Sequence, residues 1–212
     1  MSNLNIAIKT QNLGKKFQRE WIFKGLDFEF FYGKSYAIVG SNGSGKSTLL
    51  QILAGFMPYS VGELNYFNPQ GGSVEPSSFY NHLAIATPYL ELIEEYTLKE
   101  FLNFHFYFKK INVNIDIDRL ISIMYLEKSR NKPIRNFSSG MKQRLKLGLA
   151  FFDESPVVLL DEPTMNLDSK GIDWYKTHLS QIVNKKLILI CSNQDYEYEL
   201  CDDVLNIEDF KI

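Results

Sequence analysis

The nine residues from Gly40 to Thr48, Gly-Ser-Asn-Gly-Ser-Gly-Lys-Ser-Thr, fit the spacing G-x-x-x-x-G-K-[ST]. Glycines at Gly40, Gly43 and Gly45 let a backbone curl until successive N–H groups point inward, the arrangement that cradles phosphate oxygens. Ser41, Asn42 and Ser44 fill the positions between them with small polar side chains. Lys46 is a cation placed to reach the outer phosphates of a nucleoside triphosphate, and the hydroxyl of Ser47, beside Thr48, is the expected ligand for Mg²⁺. An apolar stretch precedes this loop and a helix-like stretch follows it. The helix would add the positive end of its dipole. A glycine-rich turn before a helix is the bland alternative, and the strand–loop–helix setting weighs against it.

A second group of residues supplies the complementary charge. Val157 to Leu160 are four consecutive apolar residues and run directly into Asp161-Glu162. Such a run reads as a central parallel strand covered on both faces. In open α/β sheets, ligands bind outside the carboxyl ends of the strands, so both carboxylates are expected beside the phosphates. Asp161 is the candidate for holding Mg²⁺ through water, and Glu162 for polarising a water that attacks the γ-phosphate. Alone, such a strand end is as readily a solvent-facing acidic tip; the Gly40–Thr48 loop tips the balance.

The elements that must position these residues are legible as short blocks. "LNIAIK", "LDFEFFY", "SYAIVG", "GELNYF", "HLAIAT", "VVLLD", "KLILICS" and "DVLNI" read as strands. "GKSTLLQILAG" reads as a helix ended by Gly55. From Thr97 to Phe152 the pattern is mainly helical, with "TLKEFLNFHFYF", "DIDRLISIMYL" and "NFSSGMKQRLKLGLA", and strand and helix alternate afterwards. Alternation of this kind implies an α/β fold with a parallel sheet, here with a helical subdomain inserted. The aromatic run "FLNFHFYF" is expected in that subdomain's core. In the last helix Lys142 and Lys146 lie close together while Arg144 points nearly opposite, so no basic stripe tracks a nucleic-acid backbone. Met141, Leu145, Leu149 and Phe152 form its apolar face. Ser138, Ser139 and Gly140 present a hydroxyl, backbone N–H groups and a helix N-terminus to an anion.

Bulk properties narrow the function classes. A chain of 212 residues with a net charge of −2 suits one compact domain and carries no overall basic field toward nucleic acid or an anionic membrane. No apolar run is long enough to cross a bilayer, and the start "MSNLNIAIKT" lacks the features of a secretory signal. Cys191 and Cys201 allow one disulfide but no secreted scaffold, so a reduced, cytosolic protein is expected. His82, His105 and His178 are scattered without metal-ligand spacing, which favours packing or surface roles.

Taken together, these residues resemble the nucleotide-binding domains of ABC (ATP-binding cassette) proteins over nearly the whole chain. Phe137, Ser138, Ser139, Gly140 and Met141 correspond to the family signature Leu-Ser-Gly-Gly-Gln. "DEPTMNLD" resembles the extended Walker B and D-loop, with Asp168 as the D-loop aspartate. "CSNQDYEYELCDDVLNI" resembles the switch region, in which a helix ends in Cys-Asp. "LGKKF" resembles the A-loop, which makes Phe17 the residue expected to stack on adenine, with Trp21 as second candidate. The resemblance implies a single domain over 1–212: residues 1–88 and 153–212 form a P-loop NTPase (RecA-like) core with a parallel central sheet together with an N-terminal antiparallel β subdomain, and about 89–152 form a helical subdomain that carries the signature. It further implies ATP and Mg²⁺, hydrolysis, and a head-to-tail homodimer or heterodimer in which Ser138, Ser139 and Gly140 touch the other subunit's ATP. Separate integral membrane subunits would be the partners, with no nucleic acid. The chain would then sit in the cytoplasm, peripheral at the inner face of the membrane, and the absence of the regulatory domain of many importers points toward export.

Three positions depart from the family pattern. Asn193 stands where the switch histidine is usual; it can donate a hydrogen bond but cannot become a cation, so slow turnover is expected. Tyr89 stands where the Q-loop glutamine is usual, and the Pro69-Gln70 dipeptide lies too early in the chain to replace it. Ser139 and Met141 replace the first glycine and the glutamine of the signature, which leaves a small residue and a backbone N–H for phosphate. Two other functions stay open at this point: a soluble ABC ATPase in assembly or cell-envelope work, and a weakly hydrolytic, ATP-gated regulatory module.

Overall fold

The structure is a computed structural model and describes residues 6–68, 70–111 and 115–212. Leu4 and Asn5 of the expected first strand, and Pro69 of the Pro69-Gln70 dipeptide, lie outside the described residues. The N-terminal part forms an antiparallel sheet from β1 (Ala7–Phe17), β2 (Glu20–Phe30), β4 (Val61–Phe67) and β5 (Ser73–Val74), in the order β2-β1-β4-β5. Ala7–Lys9 of "LNIAIK" and the stretch "LGKKF" are therefore two ends of one strand. Register shifts between Thr10 and Leu13 and again before Lys15 interrupt its alternation, with Asn12 at φ 47°.

Between these segments the chain enters a second, wholly parallel sheet of β3 (Ser35–Val39), β6 (Leu83–Ala86), β7 (Val157–Asp161), β8 (Leu187–Cys191) and β9 (Asp203–Asn206), ordered β6-β7-β8-β3-β9. Its central strands are almost continuously apolar, as in Val157–Leu160 and Leu187–Cys191, because both faces are covered. Val157, Leu159, Leu187, Leu189 and Cys191 join the core facing the antiparallel sheet and helix α1 (Lys46–Leu53). Val158, Leu160, Ile188 and Ile190 point the other way, into a core shared with α2 (Leu98–Phe108), α3 (Ile117–Ile123), α4 (Ser139–Phe152) and α5 (Ser169–Ile182). Burying each such side chain stabilises the fold by about 1.5–3 kcal/mol.

Local chemistry starts the helices. Thr97 and Glu100 form a reciprocal capping box at α2, Asp116 caps α3, Ser138 caps α4 and Asp168 caps α5. The last helix, α6 (Asp195–Tyr198), is a single turn and ends before Cys201, shorter than the resemblance implied. The aromatic run on α2 also departs from expectation. Leu98, Phe101 and Leu102 are buried, but Phe104, Tyr107 and Phe108 are exposed. An eleven-residue helix packed on one side buries one stripe, and these aromatics encircle it.

Candidate active site

Parallel register brings the chemistry to one edge. Asp161 pairs with Cys191, and Cys191 with Ile38, so β7, β8 and β3 end at the same level. From β3 the chain turns through Gly40–Gly45 into the N-terminus of α1. Gly45 has φ 108°, and a Cβ there would lie 2.3 Å from Ile22 of β2, so only glycine lets the loop close against the antiparallel sheet. Lys46 is buried and donates to the carbonyls of Gly40 at 2.8 Å and Ser41 at 3.2 Å. The N–H and hydroxyl of Ser41 donate to Glu208 at 2.9 and 2.5 Å. Those bonds hold the Glu208 carboxyl below its usual range.

The two carboxylates have distinct surroundings. Asp161 is 3 % exposed, and its Oδ1 is buried without a hydrogen-bond partner among the described residues. Burial pushes its pKa up, against the pull of the Ser47 hydroxyl and the Lys46 ammonium. A partnerless carboxylate oxygen beside a hydroxyl is the hard, oxygen-only donor set that Mg²⁺ takes, so these residues fit that ion. Ser44 adds a second buried, unpartnered oxygen in the loop. Glu162 is half-buried with φ 46°, a left-handed conformation unusual for glutamate, and its N–H donates to the Cys191 carbonyl at 2.9 Å. Burial first, then the Glu197 carboxylate, raise its pKa.

Of the other singled-out residues, Asn193 reaches this edge: its Nδ2 donates to Asn42 Oδ1 at 2.6 Å. Ser138, Ser139 and Gly140 do not. They open α4, where the Ser138 hydroxyl accepts from the Met141 N–H at 3.3 Å. Among the described residues no hydrogen bond joins them to the Gly40–Thr48 loop. Gly140 passes so close to the 162–168 segment that a Cβ would sit 2.8 Å from the Asn166 carbonyl. Asp168 accepts from the Gly171 N–H at 2.8 Å as the cap of α5. Phe17, at the tip of β1, is 47 % exposed with Lys15 over its ring, whereas Trp21 is half-buried between Lys16 and Lys24. Tyr89 is exposed over a groove of about 620 Å³ lined by Glu91, Glu94, Lys142 and Lys146, and Gln70 sits in the turn between β4 and β5.

The comparisons with known proteins agree with this geometry. Residues 23–165, more than half of the chain, match the family described as ABC transporter. The chain belongs to the ABC transporter family. An uncharacterized ABC transporter ATP-binding protein, YybJ of Bacillus subtilis, is 31% identical over 202 residues, covering 94% of this chain and 92% of that one. The lantibiotic transport ATP-binding protein SrtF of Streptococcus pyogenes is 27% identical over 219 residues, covering 96% and 84%. Among solved structures, an ATP-binding subunit of an ABC transporter superposes with a TM-score of 0.82 over 94% of this chain and 85% of its own, at 24% identity, which supports the same fold.

Within this ABC fold, several buried polar residues around the site were not foreseen. Gln143 donates to the Pro163 carbonyl at 2.7 Å, tying α4 to the loop after β7. Lys146, buried, donates to the carbonyls of Thr87 and Pro88 at 3.0 and 2.8 Å, and Lys142 pairs with Glu94. The lysines of α4 are thus committed to the 87–94 segment. Glu197, on the one-turn α6, is 1 % exposed. The polar positions of α4 and α6 look solvent-facing in sequence, and only the packing of a helix on two loops reveals them. His105 and His178 pack among aromatic rings, with burial lowering the pKa of each, and both cysteines are free thiols.

Proposed function

We propose that this chain is the ATP-binding and ATP-hydrolysing subunit of an ABC transporter, acting on separate integral membrane subunits. The observation that carries the reading is the convergence of Lys46, Ser47, Asp161, Glu162 and Asn193 at one sheet edge, while the Ser138–Gly140 turn stands apart on α4. The N–H groups of Gly40–Thr48 and the Lys46 ammonium bind the phosphates. Ser47 and Asp161 would hold Mg²⁺, which when bound would neutralise phosphate charge. Glu162 orients the attacking water and accepts its proton. Asn193, steadied by Asn42, donates a hydrogen bond toward the γ-phosphate. Without a cation at that position, turnover is slow.

Phe17 offers its exposed face to adenine. Ser138, Ser139 and Gly140 complete the ATP site of a second subunit in a head-to-tail dimer, with Asp168 at the junction, and residues 89–152 act as the helical lobe that carries them. Among the described residues no helix is long and apolar enough to cross a membrane, and the working place we assign is the inner membrane face, beside the membrane subunits. The naming of the relative SrtF as a lantibiotic transport ATP-binding protein supports this assignment. The test is phosphate release from MgATP by the purified chain, together with its recovery from detergent-solubilised membranes. A stoichiometric multi-span partner and measurable turnover are expected; a purely soluble complex, or ATP binding without turnover, overturns the reading.

A further inference from the structure

Glu197 carries a carboxylate that is 1 % exposed, and among the described residues it pairs with no cation. A buried carboxylate is costly unless donors satisfy it. Here the donors come from two different loops. Oε1 accepts from the Thr164 N–H at 2.7 Å and from the Thr164 hydroxyl, and Oε2 accepts from the Ser192 hydroxyl. From behind, the buried Tyr175 of α5 donates to the Glu197 carbonyl at 2.6 Å, so α6 itself is pinned. The Ser192 oxygen in turn accepts from the Gln194 N–H at 2.8 Å.

The two loops joined in this way are those that bear the reacting groups. Thr164 lies two residues after Glu162, across a Pro163 whose carbonyl is held by Gln143. Ser192 directly precedes Asn193. Charge-assisted hydrogen bonds are shorter and more directional than apolar contacts, so one carboxylate bridging both loops defines their separation narrowly. Glu162 needs such support, because a non-glycine residue held at φ 46° persists only where its surroundings over-determine it.

We propose that Glu197 is a positioning residue for ATP turnover: its buried carboxylate locks the loop bearing Glu162 to the loop bearing Asn193. The inference rests on the ATPase reading above. Its test compares steady-state kinetics, ATP affinity and thermal stability of the full chain and the variants Glu197→Leu, Glu197→Gln, Thr164→Val and Ser192→Ala. Misplacement of a reacting group by about 1 Å costs on the order of 100-fold in rate. On that scale Glu197→Leu lowers kcat about 100-fold and Glu197→Gln, which keeps one acceptor, about 10-fold, both with KM for ATP within about twofold. Adding Thr164→Val to Glu197→Leu lowers kcat no further, because the two act as one unit.

A merely structural residue would instead lower the folded fraction and leave kcat per folded molecule unchanged, and that result overturns the proposal. So do additive losses in the double variant, or a KM that rises in step with the fall in kcat. If the Glu197 variants fail to fold, Thr164→Val and Ser192→Ala, each missing one donor, decide the matter: parent-like kcat in both refutes the lock. An absence of turnover in the parent chain removes the ATPase reading and this inference with it. Parent turnover with undiminished Glu197 variants removes this inference alone.

Discussion

Two polar turns of this chain, Gly40–Gly45 and Ser138–Gly140, each open a helix, and each offers N–H groups to an anion. Their surroundings differ. The first is backed by groups of its own chain, with Lys46 folded back on it, Asn193 bonded to Asn42, and the carboxylates of Asp161 and Glu162 at the end of β7, on the far side of β8 from β3. The second is exposed at Ser138 and Ser139, and among the described residues the Ser138 hydroxyl bonds only as a helix cap. A helix N-terminus is thus a necessary part of an anion site and far from a sufficient one. What distinguishes the first turn is the gathering, at the ends of β3 and β7, of the Lys46 cation and the carboxylates proposed above as metal ligand and base. The second has no such gathering among the described residues, and on the reading proposed above it is half of a site.

That contrast can be broken experimentally. The largest effect is expected for Glu162→Gln, which lowers phosphate release by about 10²–10⁴-fold, the usual contribution of a general base, while nucleotide binding persists. Retained turnover would take the chemistry away from the first turn. Next comes Gly140→Ala, whose Cβ would lie 2.8 Å from the Asn166 carbonyl. Its turnover should fall by roughly 10- to 100-fold through misplacement of the second turn, with ATP affinity of the single chain unchanged. Mixing it with Lys46→Ala should restore part of the activity, since mixed dimers contain one site with both intact halves. A loss of nucleotide binding in Gly140→Ala alone would show that the two turns serve the same chain.

Asn193→His should raise turnover, by up to about tenfold, equivalent to about 1.4 kcal/mol of barrier. An unchanged or lower rate would mean that Asn193 does not limit the reaction. The smallest effect is expected at Lys146→Met, which leaves the Thr87 and Pro88 carbonyls without their donor. A loss of about 1–2 kcal/mol of stability, or a fall of roughly 2–8 °C in Tm, should accompany an unaltered KM for ATP.

Sequence spacing was most informative where backbone geometry restricts residue choice. Gly45 cannot be anything else at φ 108° against Ile22, and the apolar run of β7 follows from burial on both faces. It was least informative where tertiary packing overrides local pattern. The bulged β1 reads as two pieces because its alternation slips around Asn12. Glu197, Lys146 and Gln143 read as ordinary surface residues, and their burial depends on loops distant in the chain. Conversely, Phe104 and Phe108 read as core and are exposed, because hydrophobicity alone does not say which side of a short helix meets a neighbour.

Glu162 combines a left-handed backbone with a side chain that the proposed chemistry cannot spare. An ordinary residue in that conformation costs about 1–2 kcal/mol relative to glycine. A library randomised at this position and selected for heat resistance alone should therefore drift to glycine or asparagine. The same library selected for ATP-dependent growth should return to glutamate. Which residue wins at position 162 reports what the selection rewards.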